Sequence, residues 1–346
     1  MSTVTQVDTA RSAAAQGYRM PAEWEALEGV WLVRPHNEET WPLCLTAAQR
    51  EWDDWREKLE RVVMVRETSA LGIPTNDSWI RDFGPVFVRT VLGSVAAHSF
   101  RFNGWGNKYE ARTLDDAVPE GIQALTGLPM WRHDAFVLEG GSIDSNGAGS
   151  LLTTTQCLEN DNRNPEAATD RIVNHLRDCL GITNIIWLPG GIKGDDTDGH
   201  IDDIARFVRR DCIAALRAPE SHPDHEVLER NWQVLVAARD EGGRPFQLVA
   251  LPVPEPIYYQ FPADRFGPGG RMMLPASHAN FLIANGIVFV PVFGGPSDDV
   301  ACDALGMAMP GFRIEPIMAR HLVVGLGSLH CLSCHQPAEA AAVAQR

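Results

Sequence analysis

The sequence lacks any apolar run long enough to span a membrane, and residues 1–16 lack the apolar stretch that a secretory signal needs. It is also poor in basic residues. Its 30 Lys and Arg stand against 45 Asp and Glu, which gives a formal net charge of −15 and a pI of about 5.1. So acidic a chain is a poor match for nucleic acid and a better one for cationic small molecules. We expect a cytoplasmic protein with neither nucleic-acid nor membrane partners.

Cysteine is too scattered for a disulfide framework. The chain has 7 cysteines, an odd number, spread over 346 residues, and a cytoplasmic location would keep them reduced. Hydrophobic residues make up 45% of the chain, which suffices for a large core. Length alone allows one to three domains.

The segment from Gly194 to Asp203 concentrates five acidic residues and one histidine. Its two glycines predict an irregular loop, and the apolar residues after it predict a strand. In an extended segment, His200 and Asp202 would point to the same face and lie side by side at the start of that strand. Such a pair can perform acid–base chemistry and bind a cation, or it can hold a metal ion.

Regular elements can be placed in outline from hydrophobic spacing and turn residues. The spacing predicts helices over 47–66, 165–180, 223–239 and 297–305. Asn-Gly pairs at 146–147 and 285–286 predict two hairpins.

A loose repeat runs along the chain. A polar residue precedes an apolar strand four times, at steps of roughly 50 to 80 residues, and a cysteine follows the last apolar run. These positions are Asp82, Glu139, Asp202, Asn280 and Cys331. Repetition on this scale is typical of blades around an axis, so we expect the five side chains to converge where the units meet.

Cys331 is the best candidate nucleophile, although a single cysteine is more often a buried apolar residue. It follows a glycine-rich stretch at the end of an apolar run, and a nearby cation would favour its thiolate. His200 would be its acid–base partner. Cys331, Cys334 and His335 also form the C-x-x-C-H pattern of c-type haem attachment. We reject haem attachment because no export signal is visible. A redox C-x-x-C is a separate interpretation that stays open, although the motif lacks its usual position at the start of a helix.

Trp79 and Asp82 form a candidate cation site. An aromatic face attracts a guanidinium or ammonium group, and a carboxylate offers a guanidinium two parallel hydrogen bonds. Asp82 could equally form a structural ion pair with Arg81.

A metal site is the competing interpretation of the acidic segment. Asp198, His200 and Asp202 have the acid-x-His-x-acid spacing of manganese ureohydrolases. A two-metal site needs further ligands, and the sequence offers Asp82 and Glu139 but no second clear histidine.

Seven motifs together resemble the agmatine deiminase family, which belongs with the bacterial peptidylarginine deiminases among the guanidino-group-modifying enzymes. The resemblance runs from Met20 to about Pro337. Its motifs are MPAEWE (20–25), NDSWIRDFGP (76–85), FNGWG (102–106), LEGG (138–141), NRNP (162–165), GDDTDGHID (194–202) and HC (330–331).

The resemblance implies an α/β fold, namely a five-bladed α/β propeller (pentein) with a pseudo-fivefold repeat of strand-strand-helix-strand units. We expect a single catalytic domain over 20–337, after a flexible N-terminal segment (1–19) and before a C-terminal tail (338–346). The resemblance implies neither a metal nor an organic cofactor. A homodimer is common in that family and is our expectation here.

The resemblance also implies a reaction and assigns roles to side chains. The reaction is hydrolysis of agmatine, a small cationic guanidino compound, to N-carbamoylputrescine and ammonia through a covalent thiouronium, which would serve putrescine and polyamine biosynthesis. The assigned roles are nucleophile for Cys331, acid–base for His200, guanidinium-binding carboxylates for Asp82 and Asp202, aromatic lining for Trp79 and a supporting carboxylate for Glu139.

The chain departs from the family pattern at Arg34, His278 and the pair Cys334 and His335, where Trp, Tyr and a Gln pair are common. None of these departures removes a catalytic residue. An Arg34 that lined the site would favour a carboxylate-bearing guanidine. The alternatives are therefore deimination of another guanidine or of peptidyl-arginine, an amidinotransferase, a metal-dependent ureohydrolase, and a non-catalytic guanidine-binding protein.

Overall fold

The fold mixes helices and strands, as expected, in a computed structural model that describes residues 11–109, 112–165, 168–262 and 270–339. The helices are α1 (Leu45–Leu59), α2 (Ile80–Phe83), α3 (Gly104–Asn107), α4 (Thr113–Asp116), α5 (Val118–Thr126), α6 (Thr155–Leu158), α7 (Thr169–Leu180), α8 (His225–Ala237) and α9 (Ser297–Ala308). The strands are β1 (Tyr18–Arg19), β2 (Leu27–Leu32), β3 (Met64–Glu67), β4 (Val86–Thr90), β5 (Val95–Arg101), β6 (Met130–Val137), β7 (Asp144–Ser145), β8 (Ser150–Thr154), β9 (Asn184–Leu188), β10 (Ala205–Arg209), β11 (Cys212–Arg217), β12 (Gln247–Pro252), β13 (Tyr258–Gln260), β14 (Arg271–Met273), β15 (Leu282–Ala284), β16 (Ile287–Val292), β17 (Arg313–Met318) and β18 (Ser333–Pro337).

Five small sheets repeat one unit, in which an antiparallel strand pair is followed by a helix and a parallel third strand. Their strand orders are β4-β5-β6, β7-β8-β9, β10-β11-β12, β15-β16-β17 and β18-β2-β3. The principal helices between the second and third strands are α5, α7, α8, α9 and α1, in the same order. The predicted strand-strand-helix-strand unit therefore occurs five times among the described residues. In the last sheet β18 pairs with β2, which joins the two ends of the chain.

The helices bury one face each, as their sequences require. Helix α1 buries Ala48, Trp52, Trp55 and Leu59, which recur at helical spacing and form one stripe. Both indoles are fully buried in the core, and such large rings contribute much of the apolar area removed from water. Over the described part of the chain, no helix is both long and apolar enough to cross a membrane.

Two predicted helices have different bounds in the structure. Helix α1 ends at Leu59, because Met64–Glu67 instead pair in parallel with β2 as strand β3. Helix α7 begins at Thr169, because the Asn164 side chain bonds the backbone N–H and C=O of Val137 instead of capping a helix. Residues 166–167, within that predicted helix, lie outside the described residues. So do 1–10 of the predicted N-terminal segment and 340–346 of the predicted tail.

The other predicted elements are confirmed. Helices α8 and α9 lie where the spacing placed them, and both Asn-Gly pairs connect antiparallel strands. The five polar positions of the repeat each stand two to five residues before the first strand of a sheet: Asp82, Glu139, Asp202, Asn280 and Cys331. For Cys331 this corrects the prediction, since the residues before it form a 3-10 turn and a loop, and the strand follows it as β18.

Candidate active site

The five polar positions meet around one pocket. Cys331 Sγ lies 3.4 Å from Asp202 Oδ2 and 3.0 Å from Asn280 Nδ2. His200 Nδ1 lies 3.5 Å from Asp82 Oδ1, and a Glu139 oxygen is within 4.8 Å of a His200 ring nitrogen. The pocket encloses about 430 Å³. Its lining consists of Thr40, Asp77, Trp79, Asp82, Trp105, Tyr109, Arg112, Asp196, Thr197, Asp203, Gly325, Leu326, Gly327 and Cys331.

Asp82 is held by two donors, one from helix α3 and one from the 3-10 turn Gly140–Ser142. Its Oδ1 accepts from the Gly141 N–H at 3.0 Å, and its Oδ2 accepts from Trp105 Nε1 at 2.9 Å. A Cβ at Gly141 would stand 2.6 Å from His200 and 2.7 Å from Asp82, so this position has to be glycine. Burial raises the pKa of Asp82 to about 6, although the neighbouring His200 opposes the shift.

His200 is almost completely buried, and neither ring nitrogen has a hydrogen-bond partner in the described ranges. Burial lowers its pKa, but nearby groups, led by the Asp82 carboxylate, outweigh burial and hold the pKa well above the usual value. Arg163 fixes the supporting Glu139 through a bond of 2.9 Å between Nε and Oε1. The neighbouring carboxylate therefore favours the protonated imidazole, which is the form that can donate a proton in acid–base chemistry.

Asp202 does not lie beside His200 on one face of an extended segment, as the spacing predicted. Ile201–Asp203 form a 3-10 turn, which places Asp202 next to Cys331 instead. Asp202 Oδ2 also accepts from His330 Nδ1 at 2.7 Å, while Oδ1 has no partner among the residues described. Burial raises the pKa of Asp202, but the bond to His330 reverses the shift and leaves the pKa below its usual value. An ionised carboxylate with a spare acceptor thus borders the thiol.

The Cys331 thiol is protonated in the pocket as it stands. Burial raises its pKa well above the usual value, and Asp202, Asp203 and Asp82 raise it further, while the bond from Asn280 opposes them. A cation bound between these carboxylates would offset their charge and favour the thiolate. The protonation state of this thiol therefore depends on whether a cation is bound.

Trp79 lines the pocket as predicted and packs on Trp41, with ring centroids 5.2 Å apart. The glycine-rich stretch before Cys331 allows this indole to approach. A Cβ at Gly327 would lie 2.7 Å from Trp79 and 3.0 Å from the Cys331 Cβ. A flat aromatic wall therefore stands beside the thiol, where a planar guanidinium can stack.

Sequence reasoning assigned no role to Trp105, Asp203 or Asn280, although the repeat placed Asn280 among the side chains expected to converge. Asp203 lines the pocket, and Asn280 Nδ2 donates both to Asp203 and to the Cys331 thiol, while Asn280 Oδ1 accepts from His330 N–H. Asn280 had a detectable signal, because it occupies the same place in the repeat as Asp82. Trp105 had none, since its left-handed backbone (φ 55°) follows from tertiary contacts.

The profile of the Porphyromonas-type peptidyl-arginine deiminases matches residues 19–337. The chain belongs to this family. An agmatine deiminase of Pseudomonas aeruginosa (strain LESB58) is 33% identical over 359 residues, covering 94% of this chain and 96% of that protein. Two solved agmatine deiminases are similar over nearly their whole length. The Enterococcus faecalis structure has a TM-score of 0.89 at 27% identity and covers 96% and 99% of the two chains. The C. jejuni structure, with substrate bound, has a TM-score of 0.83 at 30% identity and covers 93% and 97%.

The departures from the family pattern lie outside the pocket lining. The Arg34 guanidinium makes two bonds with Asp53, at 2.9 and 2.8 Å. His278 bonds a backbone carbonyl and the carboxylate of Asp298. Cys334 Sγ lies 3.3 Å from the Pro85 carbonyl oxygen. The condition under which Arg34 would favour a carboxylate-bearing substrate is therefore not met.

We expect Arg34→Ala to change kcat/KM for a guanidino substrate by less than about threefold, because an exposed ion pair contributes only about 0.2–1 kcal/mol and this one is remote from the pocket. Steady-state kinetics of the variant test this. Arg112→Ala, which does alter the pocket lining, is the matched comparison. A loss of more than tenfold in the Arg34 variant would contradict the assignment.

The outer part of the pocket is also acidic. Within the described ranges its lining includes four carboxylates, Asp77, Asp82, Asp196 and Asp203, and one guanidinium, Arg112. Asp77 accepts from Thr40 Oγ1 at 2.6 Å and lies 3.6 Å from an Arg112 nitrogen. The excess of carboxylates favours a substrate that is cationic along its whole length.

The side chains of Asp198, His200 and Asp202 do not converge as the metal site of a manganese ureohydrolase would require. The Asp198 carboxylate pairs with Arg163 and Lys108 and accepts from Asn162, so cations and an amide already occupy it. His200 and Asp202 face different neighbours, as described above. The donor set of a two-metal ureohydrolase is therefore not brought together around His200.

Proposed function

We propose that the protein hydrolyses agmatine to N-carbamoylputrescine and ammonia, with Cys331 as the nucleophile. The observation that carries this proposal is a thiol within 3.4 Å of one carboxylate (Asp202), in a pocket that a second carboxylate (Asp82) also lines beside a protonated His200. The agmatine deiminases among its relatives support the same substrate. We place the activity in the cytoplasm and in putrescine formation, with a homodimer as the working assembly.

We further propose that the five units form the blades of a five-bladed α/β propeller (pentein). Two observations support this arrangement. Polar residues that precede different sheets come together, as Cys331 does with Asp202 and Asn280. In addition, β18 near the C-terminus pairs with β2 near the N-terminus. Residues 20–337 are then the catalytic domain, with 1–19 and 338–346 as flanking segments.

Substrate binding follows from charge and shape. Asp82 and Asp202 take the guanidinium between them, each accepting N–H bonds, and Trp79 stacks on its flat face. The remaining charge of agmatine, its distal ammonium, extends toward the acidic outer lining around Asp77 and Asp196. The guanidinium charge offsets the carboxylates that keep the Cys331 thiol protonated, and the thiolate forms.

The chemical steps use two groups. Cys331 thiolate adds to the guanidinium carbon, His200 donates its proton to the departing nitrogen, and ammonia leaves. A thiouronium remains on the sulfur. Neutral His200 then takes a proton from water, the resulting hydroxide adds to the same carbon, and the carbon–sulfur bond breaks to release the ureido product and the thiolate. As the carbon–sulfur bond breaks, the added hydroxyl loses its proton to solvent, where the released ammonia takes it up as ammonium. Two easier steps thereby replace one difficult hydrolysis.

The acidic lining also sets an expected substrate preference. Ammonia release from agmatine should exceed release from free arginine by at least about 100-fold in kcat/KM, since a carboxylate beside Asp77 and Asp196 is repelled. Parallel assays with agmatine, arginine and a peptidyl-arginine measure the ratio. Equal or greater activity on arginine would overturn the assignment of agmatine. Transfer of the amidino group to an added amine would instead indicate an amidinotransferase.

We expect kcat/KM to depend steeply on pH on the acidic side. The raised pKa of Cys331 means that the free enzyme must lose one proton to react, so kcat/KM should rise about tenfold per pH unit near neutrality. Below about pH 6, Asp82 must lose a proton as well, and the slope should roughly double.

A pH profile of kcat/KM from mildly acidic to mildly alkaline solution tests both limbs. Asp82→Asn is the matched variant: its residual activity should lack the steeper acidic limb. A profile that is flat through neutrality would contradict the protonation state assigned to Cys331.

A further inference from the structure

A second cluster of potential ligands lies outside the residues that line the active-site pocket. His98 on β5, His133 on β6 and Cys179 on α7 each place a ligand atom within 4.8 Å of the other two. The mechanism uses none of them. The cluster joins the β4-β5-β6 sheet to a helix that belongs to the next unit of the repeat.

The backbone brings these side chains together through ordinary periodicity. Strands β5 and β6 pair in parallel, with His98 opposite Trp131 and Phe100 opposite His133, so both histidines stand on one face of the sheet. Helix α7 packs against that face through Cys179 and its buried neighbours. His175 stands four residues before Cys179, which puts both on the same side of α7.

The distances between the ligand atoms are close to those of a tetrahedral zinc site. Zn–N bonds of about 2.0–2.1 Å and a Zn–S bond of about 2.3 Å place nitrogen and sulfur roughly 3.6 Å apart, and two nitrogens roughly 3.3 Å apart. His133 Nε2 lies 3.7 Å from Cys179 Sγ and 2.8 Å from His98 Nδ1. The sulfur–nitrogen distance already fits, and the two imidazoles need to separate by only about half an ångström.

The surroundings of the two imidazoles hold them ready to bind. His98 Nε2 bonds the Cys179 carbonyl oxygen at 2.9 Å, which leaves the Nδ1 lone pair for a ligand; a metal-bound histidine commonly anchors its second nitrogen in this way. Stacking fixes both rings, with His98 4.9 Å from Trp131 and His133 4.6 Å from Phe100.

His175 is the candidate fourth donor, although it lies outside the group of three whose ligand atoms are all within 4.8 Å of one another. Its ring lies 4.9 Å from the His133 ring, and its Nε2 is buried with no hydrogen-bond partner in the part of the chain that the structure describes. A buried polar atom without a partner is costly, and a metal bond would remove that cost. Imidazole nitrogen and thiolate sulfur are both established zinc ligands, and a tetrahedral site needs four of them.

We propose that His98, His133, His175 and Cys179 bind one zinc ion, which ties helix α7 to the β4-β5-β6 sheet. Binding forms one zinc–sulfur bond, releases the thiol proton to solvent, and shifts the His133 proton to its other nitrogen. No oxidation is involved. The role is structural, so the readouts below are independent of deimination.

Cobalt(II) is a suitable probe, because a thiolate bound to it gives a charge-transfer band in the near ultraviolet. Full-length Cys331→Ala protein, freed of metal with a chelator, removes the active-site thiol as a competitor. Titration with cobalt should produce the band with an end point at about one equivalent, and added zinc should displace it. In the same protein, zinc should raise the Tm. Absence of the band would overturn the proposal.

Variants assign the band to the cluster. Adding Cys179→Ser should abolish it, whereas adding Cys302→Ser, at another cysteine on a helix (α9), should leave it unchanged. Should Cys179→Ser fail to fold, as circular dichroism would show, His133→Gln at a half-buried position serves instead. It should weaken cobalt binding at least tenfold and remove the zinc-dependent rise in Tm. A band that survives these ligand substitutions in folded protein would contradict the assignment.

Discussion

Replacing Cys331 with alanine is expected to lower kcat for ammonia release from agmatine by at least about 10⁴-fold, because removing a nucleophile removes the covalent route entirely. Cys334, three residues later, offers no substitute: burial raises its pKa to about 12, and its sulfur bonds the Pro85 carbonyl oxygen. Steady-state ammonia release from purified protein measures the loss.

Binding separates this chemical loss from a folding defect. Cys331→Ala retains Asp82, Asp202 and Trp79, so calorimetry should give a Kd for agmatine no weaker than about tenfold above the KM of the parent protein. Cys302→Ala is the matched control and should keep full activity, because that cysteine does not line the pocket. Substantial turnover by folded Cys331→Ala protein would remove the thiol from the mechanism and revive the ureohydrolase interpretation.

Replacing His200 with alanine is expected to lower kcat by about 10²–10⁴-fold, the usual contribution of a positioned acid–base group. Both steps suffer, since the departing nitrogen loses its proton donor and the attacking water loses its base. The change also removes the positive charge beside Asp82, so the pKa of Asp82 should rise above its present value of about 6. Agmatine binding should weaken as the pH falls. In the variant this weakening should begin at a higher pH than in the parent protein.

Kinetics over a range of pH measure both effects of the His200 substitution. His225→Ala, at the start of α8 and outside the pocket lining, is the matched control and should behave like the parent protein. A His200→Ala enzyme that retains more than a tenth of the parent kcat would show that another group moves the protons.

The regular part of the fold could be predicted because it is periodic. Apolar residues at helical spacing placed α8 and α9, and Asn-Gly pairs placed two hairpins. The positions where prediction was wrong have a common cause. The predicted helix extended to residue 66, yet residues 64–67 pair with β2 as a strand, and local sequence does not reveal that pairing.

The candidate site was predictable as a set of residues but not as a geometry. The repeat placed Asp82, Glu139, Asp202 and Asn280 before strands. It placed Cys331 after an apolar run, whereas in the structure Cys331 also precedes a strand. It could not show that residues 201–203 form a turn. This turn separates Asp202 from His200 and places its carboxylate in contact with Cys331. Loops of this kind take their shape from distant contacts, such as the indole of Trp105 on Asp82.

The substrate preference likewise depended on tertiary structure. Arg34 could have reversed the charge of the pocket, and from the sequence its position was open. Its two bonds to Asp53 keep the guanidinium outside the lining, so Asp77 and Asp196 set the charge of the outer pocket. The ion pair with Asp53 therefore keeps the Arg34 charge out of the pocket lining.

The products formed from agmatine test the central claim most directly. Purified enzyme, with and without EDTA, should release ammonia and N-carbamoylputrescine in equal amounts, and neither urea nor putrescine should accumulate. This outcome would show that water replaces a terminal nitrogen of the guanidinium, as attack by Cys331 followed by hydrolysis of the thiouronium requires. Urea and putrescine as the products, with EDTA abolishing their release, would contradict the account.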